Sequence, residues 1–294
     1  MKTLLLSFCL VLGSFTFAQS IYLKAGGGFD LSVNSDSYFV WADQIKPIGD
    51  SIAFFRYHES IPYSLGGGKS FGGSVGVNIN KYLTFDLAVS LSKSSSRKFE
   101  VKSDYTFPVE GFQVKTNYDI TFDSKRLAFI PSLQVLIPVG YSTFYSRFGL
   151  IFANISMERT LNMSLYNNIP GYYPSEHLDT KEEFDKNNAL GFVAGIGFEY
   201  YLADKVYLFG DVSYNYLKYN PEASGYTLYN YMGDDELETM STNEKEFVWV
   251  NSYNDLENDD PDLPKKKLTS SFPFDHISVQ IGIKYTLVNF SKKE

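Results

Sequence analysis

The stretch ISVQIGIKYTL, residues 277–287, alternates strictly between apolar and polar or small side chains. Every odd-numbered position is apolar, and the even-numbered positions are Ser, Gln, Gly, Lys and Thr. A period of two is the pattern of a β-strand whose two faces meet different environments. One face of this strand is therefore expected to contact an apolar medium and the other a polar interior.

The same alternation occurs in seven further segments. Their apolar rows take every second residue of 21–33, 71–79, 83–91, 127–137, 144–152, 190–200 and 206–216. Together with the opening segment, the rows contain 46 positions and no charged residue, although 20% of the chain is charged. Because a lysine or arginine facing lipid at mid-membrane costs about 2–4 kcal/mol, uncharged rows are typical of strands that cross a membrane.

The connections between these segments alternate in length. Three are short, whereas the other four run approximately over 34–64, 96–118, 155–187 and 217–274. Short periplasmic turns and long external loops are typical of outer-membrane barrels. The sequence thus predicts an all-β fold, an eight-stranded antiparallel up-and-down transmembrane β-barrel with long extracellular loops. A membrane hairpin hidden in one of the two longest connections would make ten strands, and Pro131 predicts a bulge or local break in the fourth.

The N-terminus has the pattern of an export signal. Residues 1–18, MKTLLLSFCLVLGSFTFA, combine one lysine, an apolar run and small residues up to Ala18. This pattern predicts a signal peptide that is too short to span a membrane, and residues 19–294 are expected to form a single barrel domain. Its removal takes away the only cysteine and leaves a net charge of 25 − 34 = −9. Disulfides, thiol catalysis and nucleic-acid binding are therefore not expected.

The signal peptide, the eight alternating segments and the aromatic residues near the end of the last strand resemble the small outer-membrane β-barrel family, the porin-like relatives of the outer membrane protein A and X barrels. The resemblance covers essentially the whole mature chain and implies a bacterial outer-membrane location. Expected partners are outer-membrane lipids, lipopolysaccharide and the barrel assembly machinery, and we expect a monomer without a cofactor. The chain departs from the family by ending in Ser-Lys-Lys-Glu, so that Phe290, or Tyr285 and Leu287, stay alternative assembly signals.

Six charged residues fall on the predicted inner face, near the periplasmic ends of their strands. They are Lys24, Asp86, Arg147, Glu199, Asp211 and Lys284. Cations and anions in a narrow lumen are costly unless they pair. We expect the two lysines, on adjoining strands, to face the three acids across the lumen, with the arginine between them. This network either plugs the lumen or serves packing alone.

The glycine-rich stretch SLGGGKSFGGSVGVNIN, residues 64–80, does not fit a phosphate-binding loop. Tyr63 stands where the first glycine of that motif is required, and the alternation after Ser70 predicts a strand instead of a helix. Inward glycines are instead expected to make room for larger side chains, because an eight-stranded lumen is only wide enough for side chains. Lys69 is expected near the outer membrane interface, within reach of lipid phosphates.

The long connections are rich in aromatic residues. The candidates for recognition are Trp41, Tyr57, Tyr172, Tyr173, Tyr229 and Trp249. Aromatic side chains are enriched in recognition surfaces, and they also pack long loops against one another. Both interpretations stay open, and the extracellular ligand is unknown.

Candidates for chemistry are few. His276 and Ser278 form an H-x-S pair that resembles the dyad of outer-membrane lipid A deacylases, but their parity points inward and only Asp275 is a nearby acid in the sequence. The acidic run NDLENDDPD, residues 254–262, lacks the glycine and the terminal glutamate of a calcium loop. We therefore expect no catalytic, cofactor or metal site. The predicted role is structural or surface recognition, with a small-solute pore or ligand channel, or a lipid-modifying enzyme, as alternatives.

Overall fold

A computed structural model describes residues 19–48, 51–106, 113–168, 175–254 and 260–289 of the chain, with side chains left undescribed at 37–60, 103–106 and 289. Its elements, in chain order, are β1 (Ser20–Ser32), β2 (Asp36–Ile48), β3 (Ser51–Tyr63), β4 (Gly68–Asn80), β5 (Leu83–Ser94), β6 (Arg97–Thr106), β7 (Gln113–Val139), β8 (Ser142–Asn167), β9 (Ser175–Ala203), β10 (Val206–Tyr219), β11 (Ala223–Tyr231), β12 (Asp234–Asp235), α1 (Thr242–Lys245), β13 (Glu246–Val250), β14 (Lys265–Leu268), β15 (Phe272–Pro273) and β16 (His276–Asn289).

Eight of these strands pair in a closed antiparallel ring. The order is β1, β4, β5, β7, β8, β9, β10 and β16, and β16 pairs back onto β1. Each of the eight alternating segments of the sequence lies in one of these strands. The three short turns all lie at one end of the ring, here called the short-turn end.

The opposite end continues as an extension of the same sheet. This extension comprises β6, β11 to β14 and the outer parts of β7, β8 and β9 near residues 113–124, 156–167 and 175–187. Strands β2 and β3 form a separate two-stranded sheet. Strand β6 pairs with the outer part of β7, where it takes the place of β5. In the same way, β11 pairs with the outer part of β9, where it takes the place of β10. The expectation that 96–118, 155–187 and 217–274 are loops is therefore wrong for much of their length, and 34–64 is mainly the β2–β3 hairpin.

Strand β7 shows how the two parts are built. In its ring part, the outward side chains are apolar, including Leu127, Leu133 and Ile137, which are all exposed. In the extension the same strand buries Ile120 and Phe122 on its inner face. The even-numbered residues face inward along the whole strand. The apolar residues, however, lie mainly on the outer face in the ring and on the inner face in the extension.

Pro131 interrupts one ladder without shifting it. It pairs with Leu87 of β5, while the β7–β8 ladder passes from Phe129–Phe152 to Ser132–Gly149 in constant register. Of the two predicted alternatives, the local break is correct for the ladder between β7 and β8, because proline has no N–H to donate.

The only described helix, α1, has four residues, and no described helix is long and apolar enough to cross a membrane. The predicted signal peptide and Phe290 lie outside the described residues.

Candidate functional site

The interior of the ring holds the predicted charged residues close together near the short-turn end. Glu199 on β9 forms ion pairs with Lys24 of β1 at 3.0 Å and with Lys284 of β16 at 2.6 Å. All three side chains are more than 90% buried. One carboxylate therefore compensates two ammonium groups on neighbouring strands. The contact with Lys284 is also a charged hydrogen bond, and such bonds are strong where the surroundings exclude water.

The other three predicted residues form two adjoining groups. Arg147 donates to Asp211 at 2.9 Å, and Tyr145 donates to the same carboxylate at 3.2 Å. Asp86 does not follow the expected pairing with a lysine. It accepts hydrogen bonds from the hydroxyls of Tyr22 at 2.6 Å and Ser74 at 3.0 Å, so that neutral donors satisfy this acid.

Aromatic rings fill the space between these ions. The ammonium of Lys284 lies 4.1 Å from the ring centroid of Tyr22, and that of Lys24 lies 4.8 Å from the centroid of Tyr145. A Cβ added at Gly76 would collide with the Tyr22 ring. The expectation that an inward glycine makes room for a larger neighbour is thus correct at this position.

A second buried cluster lies farther toward the extension, and the sequence reasoning missed it. Arg126 of β7 donates to Asp30 of β1 at 3.0 Å and to Ser92 of β5 at 2.8 Å, and its guanidinium lies 3.2 Å from Nε2 of His276. Nδ1 of His276 lies 2.8 Å from the carbonyl oxygen of Phe274. An Nδ1–H donor to this carbonyl leaves Nε2 free to accept from the arginine. The sequence signal that could have identified this cluster is the pair of opposite charges, Asp30 and Arg126, at inward-facing positions.

A small cavity separates the two clusters. Its volume is about 60 Å³, and it is lined by Lys24, Arg147 and Asp211 on one side and by Asp30, Arg126 and His276 on the other. This volume is the space open to the centres of water molecules, so the cavity has room for water between the two charged clusters.

Aromatic residues close the ring at the extended end. Phe122 lies 5.9 Å from Phe99 and 6.1 Å from Phe272, measured between ring centroids. Phe272 is in turn in edge contact with Phe184 at 5.4 Å. Together with buried Ile151, Ile155, Met157 and Leu217 these rings form one continuous hydrophobic core. The core lies over the Arg126 cluster, since Phe274 belongs to it and accepts from His276.

A third charged cluster lies inside the extension, around the fully buried Glu182 of β9. This carboxylate pairs with Arg159, accepts from Ser224 at 2.6 Å and lies 3.6 Å from the ammonium of Lys267. Lys267 also lies over the Phe247 ring, 3.1 Å from its centroid. Burial, together with the charge of Arg159, lowers the pKa of Lys267 from 10.5 to about 8.

Two of the predicted recognition aromatics lie in the described part of the extension. Trp249 is half-buried, packs 6.0 Å from Phe184 and donates its indole N–H to Ser224 at 3.0 Å. Tyr229 is half-buried as well and contacts Tyr226 edge to face at 5.7 Å. Both therefore pack the extension together. The side chains of Trp41 and Tyr57, and the whole of Tyr172 and Tyr173, lie outside what the structure describes.

The other polar candidates give no assembled site. Ser278 is buried inside the ring, as its parity predicts, and Asp275 is buried beside it in sequence and accepts from the Leu217 amide at 2.8 Å. His177 lies at the surface of the extension, 3.0 Å from Asp179. Among the residues that can be described, no three His, Cys, Asp or Glu side chains are grouped to hold a metal ion. Part of the acidic run 254–262 lies outside that set.

Comparison with known proteins gives a family match. The sequence profile of the family described as "Outer membrane protein beta-barrel domain" matches residues 6–244. The match ends before β16, so the strand that closes the ring lies beyond the matched residues. Among curated protein sequences, none matches this chain significantly.

Three solved structures are similar over most of their length. A major outer membrane protein from Thermus thermophilus is 13% identical, with 91% of this chain and 98% of that chain covered and a TM-score of 0.36. CarO2 from Acinetobacter baumannii is also 13% identical, with 90% and 99% covered and a TM-score of 0.32. The outer membrane protease OmpT from Escherichia coli is 7% identical, with 92% and 97% covered and a TM-score of 0.27.

Proposed function

This chain belongs to the outer membrane protein β-barrel domain family, and from that premise we propose that it is a closed, non-conducting eight-stranded barrel with a structural or surface-recognition role. The ring of eight strands would span the outer membrane with the short turns in the periplasm. The extension would then stand outside the cell and carry the recognition surface.

The observation that carries the proposal is the filled interior. Along the axis of the ring, the Glu199 ion pairs come first, then the small cavity, then the Arg126 cluster and finally the aromatic core. A small solute would have to displace paired ions and packed rings to pass. The structure of the interior thus supports the plug interpretation of the predicted ion network over an open pore.

The order of the extension supports a role outside the membrane. Strands β7, β8 and β9 have 27, 26 and 29 residues, whereas about 9–11 residues suffice for a transmembrane strand. The extra length forms a paired sheet whose interior continues the hydrophobic core at the extended end of the ring, and this sheet is a rigid scaffold for surface contacts. Function on this family's scaffold is set by such external parts.

A non-enzymatic role is supported by the position of His276. Both ring nitrogens are within hydrogen-bond distance of Arg126 or the Phe274 carbonyl, and the side chain is 97% buried. A general base must reach the proton that it abstracts. This histidine lies inside the ring and away from the lipid-facing surface.

Single-channel recording of the refolded mature protein in a planar bilayer tests the proposal. Heat-modifiable gel mobility is the check that the barrel has formed, and an open porin of the same detergent preparation is the positive control. We expect a heat-modifiable protein without steady conductance. Steady conductance by the folded wild type would overturn the closed barrel and support the small-solute pore.

Turnover of labelled lipid A tests the absence of catalysis. We expect no hydrolysis by the wild type in vesicles. Hydrolysis that is lost in His276→Ala, with heat-modifiable mobility retained, would replace the proposed role by that of a lipid-modifying enzyme.

A further inference from the structure

Three lysines form a row on the outer surface of the ring. Lys69 of β4 is the direct partner of Lys93 of β5, and Lys93 is the direct partner of Lys125 of β7. All three side chains are exposed. Neighbouring strands are about 4.8 Å apart, so the backbones that carry the row span roughly 10 Å. We call these residues the lysine row.

The lysine row marks the edge of the apolar band. The next outward-facing residues toward the short-turn end are Phe71, Leu91 and Leu127, each two positions from a lysine of the row. Their side chains are 66%, 58% and 49% exposed. On the next strands, β8 and β9, Asn154 and Asn188 lie beside this edge, with Asn154 opposite Leu127 and Asn188 opposite Asn154. The concentration of charge is therefore confined to one side of the ring.

The lysine row has no acidic partner in the described part of the chain. None of its three ammonium groups is in the ion pairs that the described residues form. Like charges directly opposite each other on a sheet are destabilising. An external anion in contact with all three lysines would offset this repulsion.

Two apolar grooves lie on the outer surface of the ring, on the short-turn side of the lysine row. One is lined by Ala25, Gly73, Val75, Leu87 and Val89 on β1, β4 and β5. A second begins at Val89 and continues past Leu127 and Phe152 to Leu190. An anion that is held by the lysine row therefore has apolar surface directly beneath it.

We propose that the lysine row binds the phosphate groups of a phosphorylated lipid head group, whose acyl chains lie along the two grooves. The inference rests on the orientation given under the proposed function, which places the row at the outer-leaflet surface. A phosphate monoester offers several acceptor oxygens and close to two negative charges, which matches three neighbouring donors. Charge complementarity and the adjoining grooves together favour a lipid over free phosphate.

The experiment measures lipid retention by native mass spectrometry. The mature protein, refolded in neutral detergent, is mixed with diphosphoryl lipid A or with the same lipid after phosphatase treatment. The variant Lys69→Gln/Lys93→Gln/Lys125→Gln removes the row. A matched variant, Lys81→Gln/Lys98→Gln/Lys205→Gln, removes the same charge from exposed lysines elsewhere.

We expect the wild type and the matched variant to bind diphosphoryl lipid A alike and to bind the dephosphorylated lipid more weakly. Each lysine near a charged lipid surface contributes about a fivefold change, so the row variant is expected to lose on the order of a hundredfold in affinity. A competing excess of inorganic phosphate is expected to displace little of the lipid.

Three results would overturn the inference. Equal binding of diphosphoryl lipid A by the row variant would show that the lysines do not hold the lipid. Equal binding of the dephosphorylated lipid would show that only the grooves bind it. Tight binding of inorganic phosphate alone would make free phosphate the ligand. Heat-modifiable mobility confirms that each variant is folded. A conducting wild type that still needs the lysine row for lipid would overturn the proposed function and leave this inference intact.

Discussion

The short-turn end of the ring is filled mainly by paired ions, whereas the extension is filled mainly by aromatic rings beside one buried charged cluster around Glu182. Inside the ring near the short-turn end lie Lys24, Glu199 and Lys284, whereas inside the extension lie Phe122, Phe184 and Phe272. Their outer faces differ in the opposite sense, with apolar side chains around the ring and polar ones around the extension. The surroundings of each part therefore determine its interior, since lipid takes the apolar face and leaves polar groups to pair inside.

The exchange happens within single strands and at a definite height. On β7 the outward row changes from Asp123 and Lys125 to Leu127 and Phe129, while the inner row changes from Phe122 to Ser132 and Gln134. Arg126 lies at this junction, and its three partners Asp30, Ser92 and His276 lie inside the ring. A strand of constant register thus carries two hydrophobic patterns of opposite parity.

The strongest way to break the ring interior is Glu199→Gln. It leaves Lys24 and Lys284 buried without their shared carboxylate, and removal of one partner of a buried ion pair costs about 3–5 kcal/mol. Urea unfolding in vesicles, followed by heat-modifiable mobility, measures the loss. Glu183→Gln on the same strand is exposed and is the control, and an equal loss in both variants would contradict the role of the ion pairs.

The corresponding change in the extension is Phe122→Ala. Its ring is 1% exposed and contacts Phe99 and Phe272, and deletion of a buried phenyl ring costs about 3–5 kcal/mol. We expect faster proteolysis of the extension while the ring keeps its heat-modifiable mobility. Phe129→Ala, on the outward face of the same strand, serves as the control. Loss of the ring in Phe122→Ala would show that the two interiors form one cooperative unit.

The exchange of outer faces is tested by one substitution at two heights on β7. Leu133→Lys places a charge in the middle of the apolar row, where the cost is about 2–4 kcal/mol. Asp119→Lys places the same side chain on the outward row of the extension, where we expect a change within about 0.5 kcal/mol. Unfolding in vesicles compares the two variants, and similar costs would place residue 133 outside the hydrocarbon layer.

The smallest expected effect concerns the charge inside the extension. The pKa of Lys267 is about 8 in the folded extension and 10.5 as its ordinary value, because burial and Arg159 disfavour its charge while Glu182 favours it. Between pH 8 and 10 the unfolded extension therefore binds more protons, and stability rises with pH. Stability is correspondingly lost as the pH falls through 8.

Limited proteolysis of the extension at pH 8 and pH 9 measures this dependence. We expect protection in the wild type to increase by about 1 kcal/mol across this step and Lys267→Met to show no increase. Lys265→Met, exposed on the same strand, removes the weakest of the charges that lower the pKa of Lys267 and should therefore keep most of the increase. The buried Tyr226, whose pKa is raised by burial, acts in the opposite direction only above about pH 10. A pH rise retained in Lys267→Met would assign the effect to another group.

The ring was predictable from the sequence because each strand keeps one uncharged apolar face along its whole membrane crossing. Residues 277–287 and 127–137 have this property, and parity alone then places Lys284 inside. The extension was not predictable in the same way. Beyond Lys125 the apolar row moves to the other parity, at Ile120 and Phe122, so that a search for one continuous row ends at the junction.

The contacts of the Arg126 cluster could not be predicted from the sequence, for a different reason. Asp30, Arg126 and His276 are brought together from β1, β7 and β16, and their pairing depends on the stagger of three strands. The alternation along a strand shows which charged side chains face inward, but it does not give their positions along the axis of the ring. The same limit explains why Asp86 was expected to face a lysine and instead accepts from Tyr22.

Strand β16 has a consequence for the time course of folding. It pairs with β1 on one side and β10 on the other, joining residues as distant in the sequence as Lys24 and Lys284. Such non-local pairing is slow. Until both ladders form, β1 and β10 remain unpaired edges, which are templates for association with other chains. The folding barrel must therefore be shielded from its neighbours until β16 has paired on both sides.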